Sequence, residues 1–338
     1  MRLNLYASLG HYAEHLWPIW EQLPAEHRGA AWSACDGSWW GRPVAGSADL
    51  DANPGPVLVA SHGDAASATT RGRPLVYVEH GAGQTYGGDQ NGAGAPGLSG
   101  STDPTMRRVL LFVCPSDTVA SRWRQLYDVP AVAVGCPKLD DWHITGGAKS
   151  DGLMPTTVAV TFHWDCSLVP ETMTAWPEYD HVLPALATWC HDHDVLLLGH
   201  GHPRIWPRIA RRWAALGIAS TAHLSDVLDH ADVLVADNTS AMYEFASLGR
   251  PVIAVNAAGY RRHIEHGLRF WSHVPGVQVD DPAELVATVA AQLADPTMGI
   301  GLRTAATAAA YAHSDGLAAQ RAAHAIIEVL THDRTGPT

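Results

Sequence analysis

The chain has 338 residues, of which 46% are hydrophobic and 17% are charged, and its formal net charge at pH 7 is -12. This length and apolar content predict a globular protein of about two domains. The acidic balance argues against unspecific binding to nucleic acid or to anionic membrane surfaces.

The sequence indicates neither targeting nor covalent cross-linking. Residues 1–20 lack a continuous apolar segment and a small-residue cleavage site, and no later segment has the apolar length of a membrane-spanning helix. The cysteines at positions 35, 114, 136, 166 and 190 never form a C-x-x-C pair. We therefore expect a cytoplasmic protein with reduced, mostly buried cysteines.

Short apolar runs in the first half of the chain predict buried parallel strands. They lie at 3–6, 57–60, 75–78, 109–113 and 131–134. Helical stretches are predicted around residues 11–22 and 117–127. Residues 87–105 are rich in Gly, Pro and Ser and predict a mobile loop, and residues 144–155 predict a linker.

The second half repeats this α/β architecture. Its strands are predicted at 157–162, 195–198, 233–236 and 252–255, and Ala-rich segments beyond residue 281 predict two or three helices. The predicted domains are therefore 1–150 and 151–338, the second of which carries the terminal helices. Two domains of similar architecture imply a cleft between them.

Residues 224–255 form the most informative segment. After the strand at 233–236, four small polar residues open a helix: Asp237, Asn238, Thr239 and Ser240. Gly249 fits the end of that helix. Because ligands of parallel sheets bind at the carboxyl ends of strands, and because a helix N-terminus favours negative charge, the segment predicts a phosphate or nucleotide site.

An ordinary helix cap is the alternative explanation of these four residues, since caps commonly use them. Glu244, one turn into the helix, favours the ligand site. The Arg-rich segment 204–212 is expected to be a solvated helix face. Trp164, close after a predicted strand, is expected to pack in the core, although an indole also suits stacking on a base or sugar.

The segment from Asp226 to Val255 resembles the signature of the CDP-glycerol glycerophosphotransferase family. That pattern has an aspartate, an aromatic or polar residue, two hydroxyl residues, then an acidic residue and a Gly-Lys/Arg-Pro step. Here it comprises Asp237, Asn238, Thr239, Ser240, Glu244, Gly249, Arg250 and Pro251. Three weaker steps agree with it in the same order: His80-Gly81, the stretch 135–140, and the His-Pro step in GHGHPR at 199–204.

The resemblance implies the fold known as GT-B, an α/β fold of two Rossmann-like domains with parallel sheets facing a central cleft. It also implies roles on the donor side. Glu244 would accept hydrogen bonds from the ribose hydroxyls. Thr239 and Ser240 would hold the pyrophosphate, with His202 or Arg204 adding hydrogen-bond donors or charge.

The resemblance further implies that His80 is the general base on an acceptor hydroxyl. Histidine suits this role because its ordinary pKa lies near neutral pH. His80 ends a predicted strand and precedes the Gly81 turn, and His62 is its rival because it stands in the same kind of place. Asp64 and Asp89 are candidates to orient either imidazole.

The implied substrates are a nucleoside-diphosphate-activated donor and an acceptor hydroxyl of a glycan, protein or modified polymer. No tightly bound cofactor is implied, and a homodimer is possible. Asn238 stands where the family commonly has tyrosine, and GHGHPR lacks the usual basic residue before His-Pro. A glycosyl or related transfer is therefore expected rather than CDP-glycerol use specifically. A short acidic chain also argues against a membrane-anchored lipid acceptor.

Three other functions fit parts of the sequence. A nucleotide-sugar 2-epimerase-like enzyme would share the fold and the Glu244 site, and a binding module would bind nucleotide without turnover. A metal-dependent hydrolase is suggested by His200 and His202 at a strand end and by the stretch 191–194, although no complete H-x-H-x-D-H ligand pattern exists.

Overall fold

The strands of the fold are short and mostly apolar. The structure is a computed structural model that describes residues 1–33, 38–39, 42–43, 52–82, 85–86, 97–98, 103–147, 155–166, 170–261 and 273–332. In chain order the strands are β1 Leu3–Ala7, β2 Arg28–Ser33, β3 Ser38–Trp39, β4 Arg42–Pro43, β5 Val57–Val59, β6 Leu75–Val78, β7 Thr85–Tyr86, β8 Gly97–Leu98, β9 Val109–Cys114, β10 Ala131–Ala133, β11 Thr157–Thr161, β12 Leu196–Gly199, β13 Ala219–Ser220, β14 Val233–Ala236, β15 Val252–Val255 and β16 Val277–Val279.

Helices connect most of these strands. They are α1 Gly10–Gln22, α2 His62–Ala65, α3 Asp117–Leu126, α4 Asp140–Ile144, α5 Trp176–Tyr179, α6 Leu183–Asp192, α7 Trp206–Ala215, α8 Leu224–His230, α9 Ala241–Ala246, α10 Leu285–Ala294, α11 Ile300–Ala310 and α12 Ala318–His332. Short 3-10 turns lie at Ala25–His27, Ala68–Thr70, Pro104–Arg108, Pro137–Leu139, Pro170–Thr172, Asp180–Val182 and Pro282–Glu284.

The chain divides into two compact units. Unit 1 consists of the described parts of Met1–Gly83, Leu98–Ile144 and Ala310–Thr338, and unit 2 of the described parts of Gln84–Gly97 and Thr145–Ala309. Unit 1 contains a parallel sheet of order β10-β9-β6-β5-β1-β2. Since the chain goes from β1 to β2 on one side and continues at β5 on the other, the strand order reverses between β1 and β5.

Apolar side chains cover both faces of the unit 1 sheet. One face packs with α1 and α12 and includes Leu3, Leu5, Val76, Val78, Leu111 and Val113. The opposite face packs with α3 and includes Val57, Val59, Leu75, Tyr77 and Phe112. Burial on both faces explains why these strands are continuous apolar runs rather than alternating ones.

Unit 2 contains a second parallel sheet, of order β13-β12-β11-β14-β15-β16. Its strand order reverses between β11 and β14. The strands predicted for both halves are confirmed to within one residue at each end, and those at 75–78, 233–236 and 252–255 have the predicted bounds. Gly249 follows α9 with φ +78, a left-handed conformation that suits glycine and ends the helix.

Within the two six-stranded sheets, β2, β13 and β16 are the strands that the hydrophobic pattern missed. Each lies at the edge of its sheet. Both residues of β13 are exposed, and β2 has a single buried residue. An edge strand with little burial carries no run of apolar residues, so its sequence gives no strand signal.

The last helix corrects the predicted domain organisation, which placed all terminal helices with the second half. Instead α12 belongs to unit 1. Alanines spaced for one helical face, at 318, 319, 322 and 323, are buried in the same core as β1 and α1, together with Ile326 and Leu330. Small side chains allow this helix to approach the sheet and α1 closely.

Asp140 anchors α12. Its Oδ1 accepts from the N–H of Ala318 at 3.0 Å and its Oδ2 from the N–H of Ala319 at 2.7 Å. These N–H groups lie at the start of the helix, where no intrahelical acceptor exists for them. We expect Asp140→Ala to lower the free energy of unfolding by about 1–2 kcal/mol, as loss of a helix cap does. Urea unfolding should show this loss, whereas the exposed neighbour variant Asp141→Ala should leave stability unchanged; equal stability of the two variants would contradict the capping role.

Some predicted features lie outside the described residues. These are Asp89, Cys35, most of the loop predicted at 87–105 and residues 148–154 of the predicted linker. The four described cysteines, Cys114, Cys136, Cys166 and Cys190, are buried and form no disulfide, as predicted. In the described part of the chain, no helix combines the length and the apolar character needed to cross a membrane.

Candidate functional site

Polar groups gather at the carboxyl edge of the unit 2 sheet, where the strand order reverses. His163 stands two residues after β11, His202 three residues after β12, and Asp237 directly after β14. Ligands of open parallel sheets bind at this kind of reversal point. The structure therefore brings together the strand ends at which the sequence predicted a donor site.

Asp237 is fully buried and holds these segments together. Its Oδ1 accepts from the N–H of His163 at 2.7 Å, and its Oδ2 accepts from the N–H of Ala175 at 2.9 Å and from the hydroxyl of Thr174 at 3.1 Å. Both carboxylate oxygens are thus engaged by protein groups. This geometry gives Asp237 a positioning role, and a direct contact of Asp237 with a ligand stays a prediction.

Asn238 also makes a contact within the protein. Its Nδ2 donates to the backbone carbonyl of Glu171 at 2.6 Å. The fully buried Glu171 carboxylate accepts from Nε of Arg261 at 2.7 Å and from Nη2 at 2.9 Å. Burial raises the pKa of Glu171, but the Arg261 hydrogen bonds outweigh that effect and hold the pKa below its usual value. This ionised pair fixes the segment that follows β15 beside the Asp237 segment.

Thr239, Ser240 and Glu244 follow in the order the sequence predicted. The N–H of Thr239 donates to the backbone carbonyl of Asp237 at 2.6 Å. Ser240 precedes α9, but its side chain accepts no capping hydrogen bond from the helix. The ordinary-cap alternative is therefore not supported for Ser240. Glu244 lies in the first turn of α9 with its side chain 3% exposed.

An aromatic and cationic cluster lies at the ends of β11 and β12. The guanidinium carbon of Arg204 lies 4.1 Å from the centre of the half-buried Trp164 ring. The rings of His163 and His202 are 5.4 Å apart, edge to face, and the N–H of Arg204 donates to Nδ1 of His202 at 3.2 Å. The predicted donor residues His202 and Arg204 are therefore neighbours, and Trp164 supports the arginine.

The Arg-rich segment lies mostly on α7, and two of its arginines form ion pairs. Arg208 pairs with Asp165 at 2.8 Å and Arg212 with Asp180 at 2.7 Å, as expected of a solvated helix face.

The histidines that suggest a metal site have protein neighbours: Nδ1 of His200 lies 2.6 Å from the hydroxyl of Thr161. Across the residues with described positions, no three His, Cys, Asp or Glu side chains are grouped so that they could hold a metal ion.

His80 stands two residues after β6 in unit 1, and Gly81 follows it with φ +76, which confirms the predicted turn. The preceding Glu79 carboxylate accepts from Nε1 of the buried Trp123 at 3.1 Å. Burial raises the pKa of Glu79 to about 7, against a smaller lowering by that hydrogen bond. A carboxyl group that titrates near neutral pH therefore adjoins His80 in the chain.

Helix α1 surrounds His80 with aromatic and imidazole rings. The centre of the Tyr12 ring lies 4.9 Å from that of His80, and those of His11 and His15 each lie 6.3 Å from it. Burial lowers the pKa of His15, and the positive charges of Lys138 and of the neighbouring histidines lower it further. His15 is therefore neutral at neutral pH. Sequence reasoning missed His11 and His15 because a helix contributes them.

His62, the rival to His80, has a different partner from those predicted. Its Nε2 lies 2.7 Å from Oδ2 of Asp103. Asp64, which had been a candidate to orient a histidine, instead accepts from the N–H of Ser8 at 3.2 Å. Asp103 also accepts from the N–H of Thr105, and the hydrogen bonds from Thr105 and His62 lower the Asp103 pKa to about 2. Asp103 is therefore negatively charged at neutral pH, and its carboxylate holds the His62 ring.

Two six-stranded parallel sheets with helices packed on them, each with a reversal of strand order, define the GT-B fold. Within this fold, residues 177–328 match the family model described as CDP-Glycerol:Poly(glycerophosphate) glycerophosphotransferase. The matched segment contains His202, Arg204 and the residues from Asp237 to Glu244. It excludes His62, His80 and His163.

Solved structures with this fold agree over nearly the whole chain. A variant of the wall teichoic acid polymerase TagF soaked with CDPG has a TM-score of 0.68 at 12% identity, covering 99% of this chain and 90% of that chain. The S. aureus MnaA-UDP co-structure has a TM-score of 0.63 at 14% identity, covering 100% and 99%. A putative UDP-N-acetylglucosamine 2-epimerase from Listeria monocytogenes has a TM-score of 0.59 at 14% identity, covering 98% and 97%. No curated protein matches the chain by sequence.

Proposed function

We propose that the protein transfers a sugar or a glycerophosphate group from a nucleoside-diphosphate-activated donor to an acceptor hydroxyl. One observation carries the proposal: the strand order of unit 2 reverses where the segments bearing His202, Arg204 and Asp237 to Glu244 meet. Strand β14, on one side of this reversal, and the residues of these two segments lie within the part of the chain that matches a transferase family. The fold is shared with TagF, soaked with CDPG, and with MnaA, solved with UDP, which supports a nucleotide as the ligand.

On the donor side, Thr239, Ser240 and the adjacent backbone N–H groups would hold the pyrophosphate. His202 adds a donor and Arg204 a positive charge, which the Trp164 ring keeps in place. Glu244 would accept from the ribose hydroxyls, because a carboxylate offers only acceptors. We assign Asp237 and Asn238 to the framework of this site, since their side chains bond to protein groups.

In the proposed reaction the acceptor oxygen attacks the activated carbon of a sugar, or the phosphorus of a glycerophosphate group. The acceptor proton moves to the imidazole of His80 as the new C–O or P–O bond forms. The bond to the leaving phosphate oxygen breaks, and a nucleoside diphosphate or monophosphate departs. Positive charge and N–H donors around that phosphate stabilise its developing negative charge. The donor is a substrate, and no tightly bound cofactor takes part.

Nucleotide binding tests the donor half of the proposal. Thermal unfolding with CDP, UDP, GDP and dTDP should reveal at least one that raises the melting temperature, because a ligand that binds the folded state stabilises it. Glu244→Ala should weaken binding of that nucleotide about 10- to 100-fold, since a hydrogen bond to a charged group contributes about 1.5–3 kcal/mol. The exposed carboxylate variant Glu284→Ala is the control. Equal nucleotide affinity of both variants would refute the role of Glu244.

The epimerase alternative is separated from transfer by omitting the acceptor. An epimerase converts a nucleotide sugar by itself, so incubation of donor alone would yield a new stereoisomer with the nucleotide still attached. A transferase leaves the donor unchanged under these conditions, apart from slow hydrolysis. The structural likeness to the epimerases concerns the fold and does not favour either outcome.

A further inference from the structure

Arg261 is a cation of unit 2 that the proposed mechanism does not use. It follows β15, the neighbour of β14 in the sheet, on the side of the carboxyl ends of these strands. Its backbone N–H donates to Oε1 of the fully buried Glu171 at 2.8 Å, and its Nε donates to the same oxygen at 2.7 Å. The side chain therefore folds back along its own backbone, which keeps the guanidinium close to this edge of the sheet.

Glu171 places Arg261 beside the predicted donor segment. The backbone carbonyl of Glu171 accepts from Nδ2 of Asn238 at 2.6 Å, while its carboxylate accepts from Arg261. Asn238 directly precedes Thr239 and Ser240, the residues that would hold the pyrophosphate. A single residue thus joins the start of that segment to the guanidinium.

The pair with Glu171 uses only part of the Arg261 guanidinium. A guanidinium has five N–H groups and no acceptor. Glu171 accepts one N–H from Nε, at 2.7 Å, and one from Nη2, at 2.9 Å. Nη1 donates to none of the residues that the structure describes, and the side chain of Arg261 is 23% exposed. The remaining N–H groups can therefore bind an anion without breaking the pair.

Arg261 also cancels a charge that would oppose an anion. Burial raises the pKa of Glu171, but the hydrogen bonds from Arg261 outweigh burial and hold the pKa below its usual value. Glu171 is therefore ionised at neutral pH, and alone it would repel a phosphate. Paired with Arg261 it instead holds a planar fork of N–H donors in one orientation, so that little side-chain freedom is lost when a ligand binds.

We propose that Arg261 is a further binding residue of the donor site and that its guanidinium donates hydrogen bonds to the diphosphate of the nucleotide. Phosphate oxygens suit this role because hydrogen bonds between a guanidinium and an anionic oxygen are short and strong. Glu171 is the positioning residue that holds the guanidinium in place. The inference rests on the proposed function and adds a residue to the same site.

Three variants separate anion binding from a purely structural ion pair. Arg261→Gln removes the positive charge and leaves the buried Glu171 carboxylate unpaired. In the double variant Glu171→Gln/Arg261→Gln, two neutral amides replace the ions and can bond to each other. Glu171→Gln alone leaves the positive charge of Arg261 uncompensated, and the amide oxygen at position 171 can still accept one of the two bonds.

The two explanations predict opposite orders of nucleotide affinity. If the pair only supports the fold, affinity should follow stability, so the double variant should bind like the wild type. If Arg261 binds the diphosphate, the double variant should bind as weakly as Arg261→Gln even where its stability is restored. Glu171→Gln should then bind at least as tightly as the wild type, because its positive charge is no longer neutralised.

The measurement is calorimetric binding of CDP, UDP, GDP and dTDP to the full-length protein, with urea unfolding of each variant. For a nucleotide that the wild type binds, we expect Arg261→Gln and the double variant to weaken affinity about 10- to 100-fold, as loss of a hydrogen bond between charged groups predicts. Arg321→Gln is the matched control, because Arg321 also pairs with a carboxylate, that of Asp315, but belongs to unit 1. Its nucleotide affinity should equal that of the wild type.

The outcomes that overturn the inference are distinct. Wild-type affinity in the double variant would show that the pair is structural, as would an equal loss of affinity in Glu171→Gln and Arg261→Gln. If Arg261→Gln does not fold, the other two variants decide. Nucleotide binding that depends on Glu244 but not on Arg261 would refute this inference alone. If the wild type binds none of the four nucleotides, the proposed donor site itself fails.

Discussion

Replacement of His80 by alanine should lower the rate of group transfer by about 10²–10⁴-fold, the range that general-base catalysis contributes. Nucleotide binding should remain, because the donor residues belong to unit 2 and His80 belongs to unit 1. The variant removes the imidazole that would take the acceptor proton. Burial and the charge of Lys138 lower the pKa of the neighbouring His15, which makes it a weaker base than an ordinary imidazole.

The measurement is the initial rate of product formation from donor and acceptor, together with the affinity for nucleoside diphosphate. His324→Ala serves as the control, because the side chain of His324 is 77% exposed and pairs with Glu328 one turn away on α12. His62→Ala tests the rival base. A large loss of rate in His62→Ala with near-normal activity in His80→Ala would exchange their roles. Loss of nucleotide binding in His80→Ala would mean that the residue supports the fold instead.

Replacement of Asp237 by alanine should destabilise unit 2 by about 3–5 kcal/mol, because each buried donor left without an acceptor costs roughly 1–3 kcal/mol. The variant removes the acceptor of the His163 and Ala175 N–H groups and of the Thr174 hydroxyl. These donors lie in the segment after β11, so three of the hydrogen bonds that connect this segment to the end of β14 are lost. Nucleotide affinity should fall as a consequence of this disorder.

Urea unfolding monitored by tryptophan fluorescence would measure the effect as a lower midpoint. Asp237→Asn should lie between wild type and alanine, since its amide carbonyl still accepts on one side while its NH₂ group opposes a donor on the other. Asp165→Asn is the matched control, because Asp165 forms an exposed ion pair with Arg208 that contributes at most about 1 kcal/mol. A midpoint for Asp237→Ala close to that of the control would show that the carboxylate is not needed to hold the segment.

The parallel strands were predictable because both faces of each sheet are buried, which makes every central strand a continuous apolar run. The site was predictable only in part. Polar residues after β12 and β14 could be recognised locally, since a strand end followed by small polar residues is a pattern in adjacent positions. The partners of those residues could not, because Asp237 bonds to His163 across 74 positions and His62 to Asp103 across 41.

A histidine shortly after a buried strand is a further signal in the sequence. His80 stands two residues after a buried strand, and His163 stands two residues after another. The sequence pattern that marks His80 as a candidate site residue therefore marks His163 as well. His11 and His15 offered no comparable signal, since their position on α1 beside His80 depends on how that helix packs.

The return of α12 to unit 1 has a consequence for the order in which the protein folds. A ribosome synthesises the strands of unit 1 first, yet the alanine face and Ile326 that complete their core come last. During translation the growing chain must therefore carry one incomplete apolar surface while all of unit 2 is made. The sheet of unit 2 is built from consecutive residues. The sheet and core of unit 2 can therefore be complete before those of unit 1, although unit 2 is synthesised later.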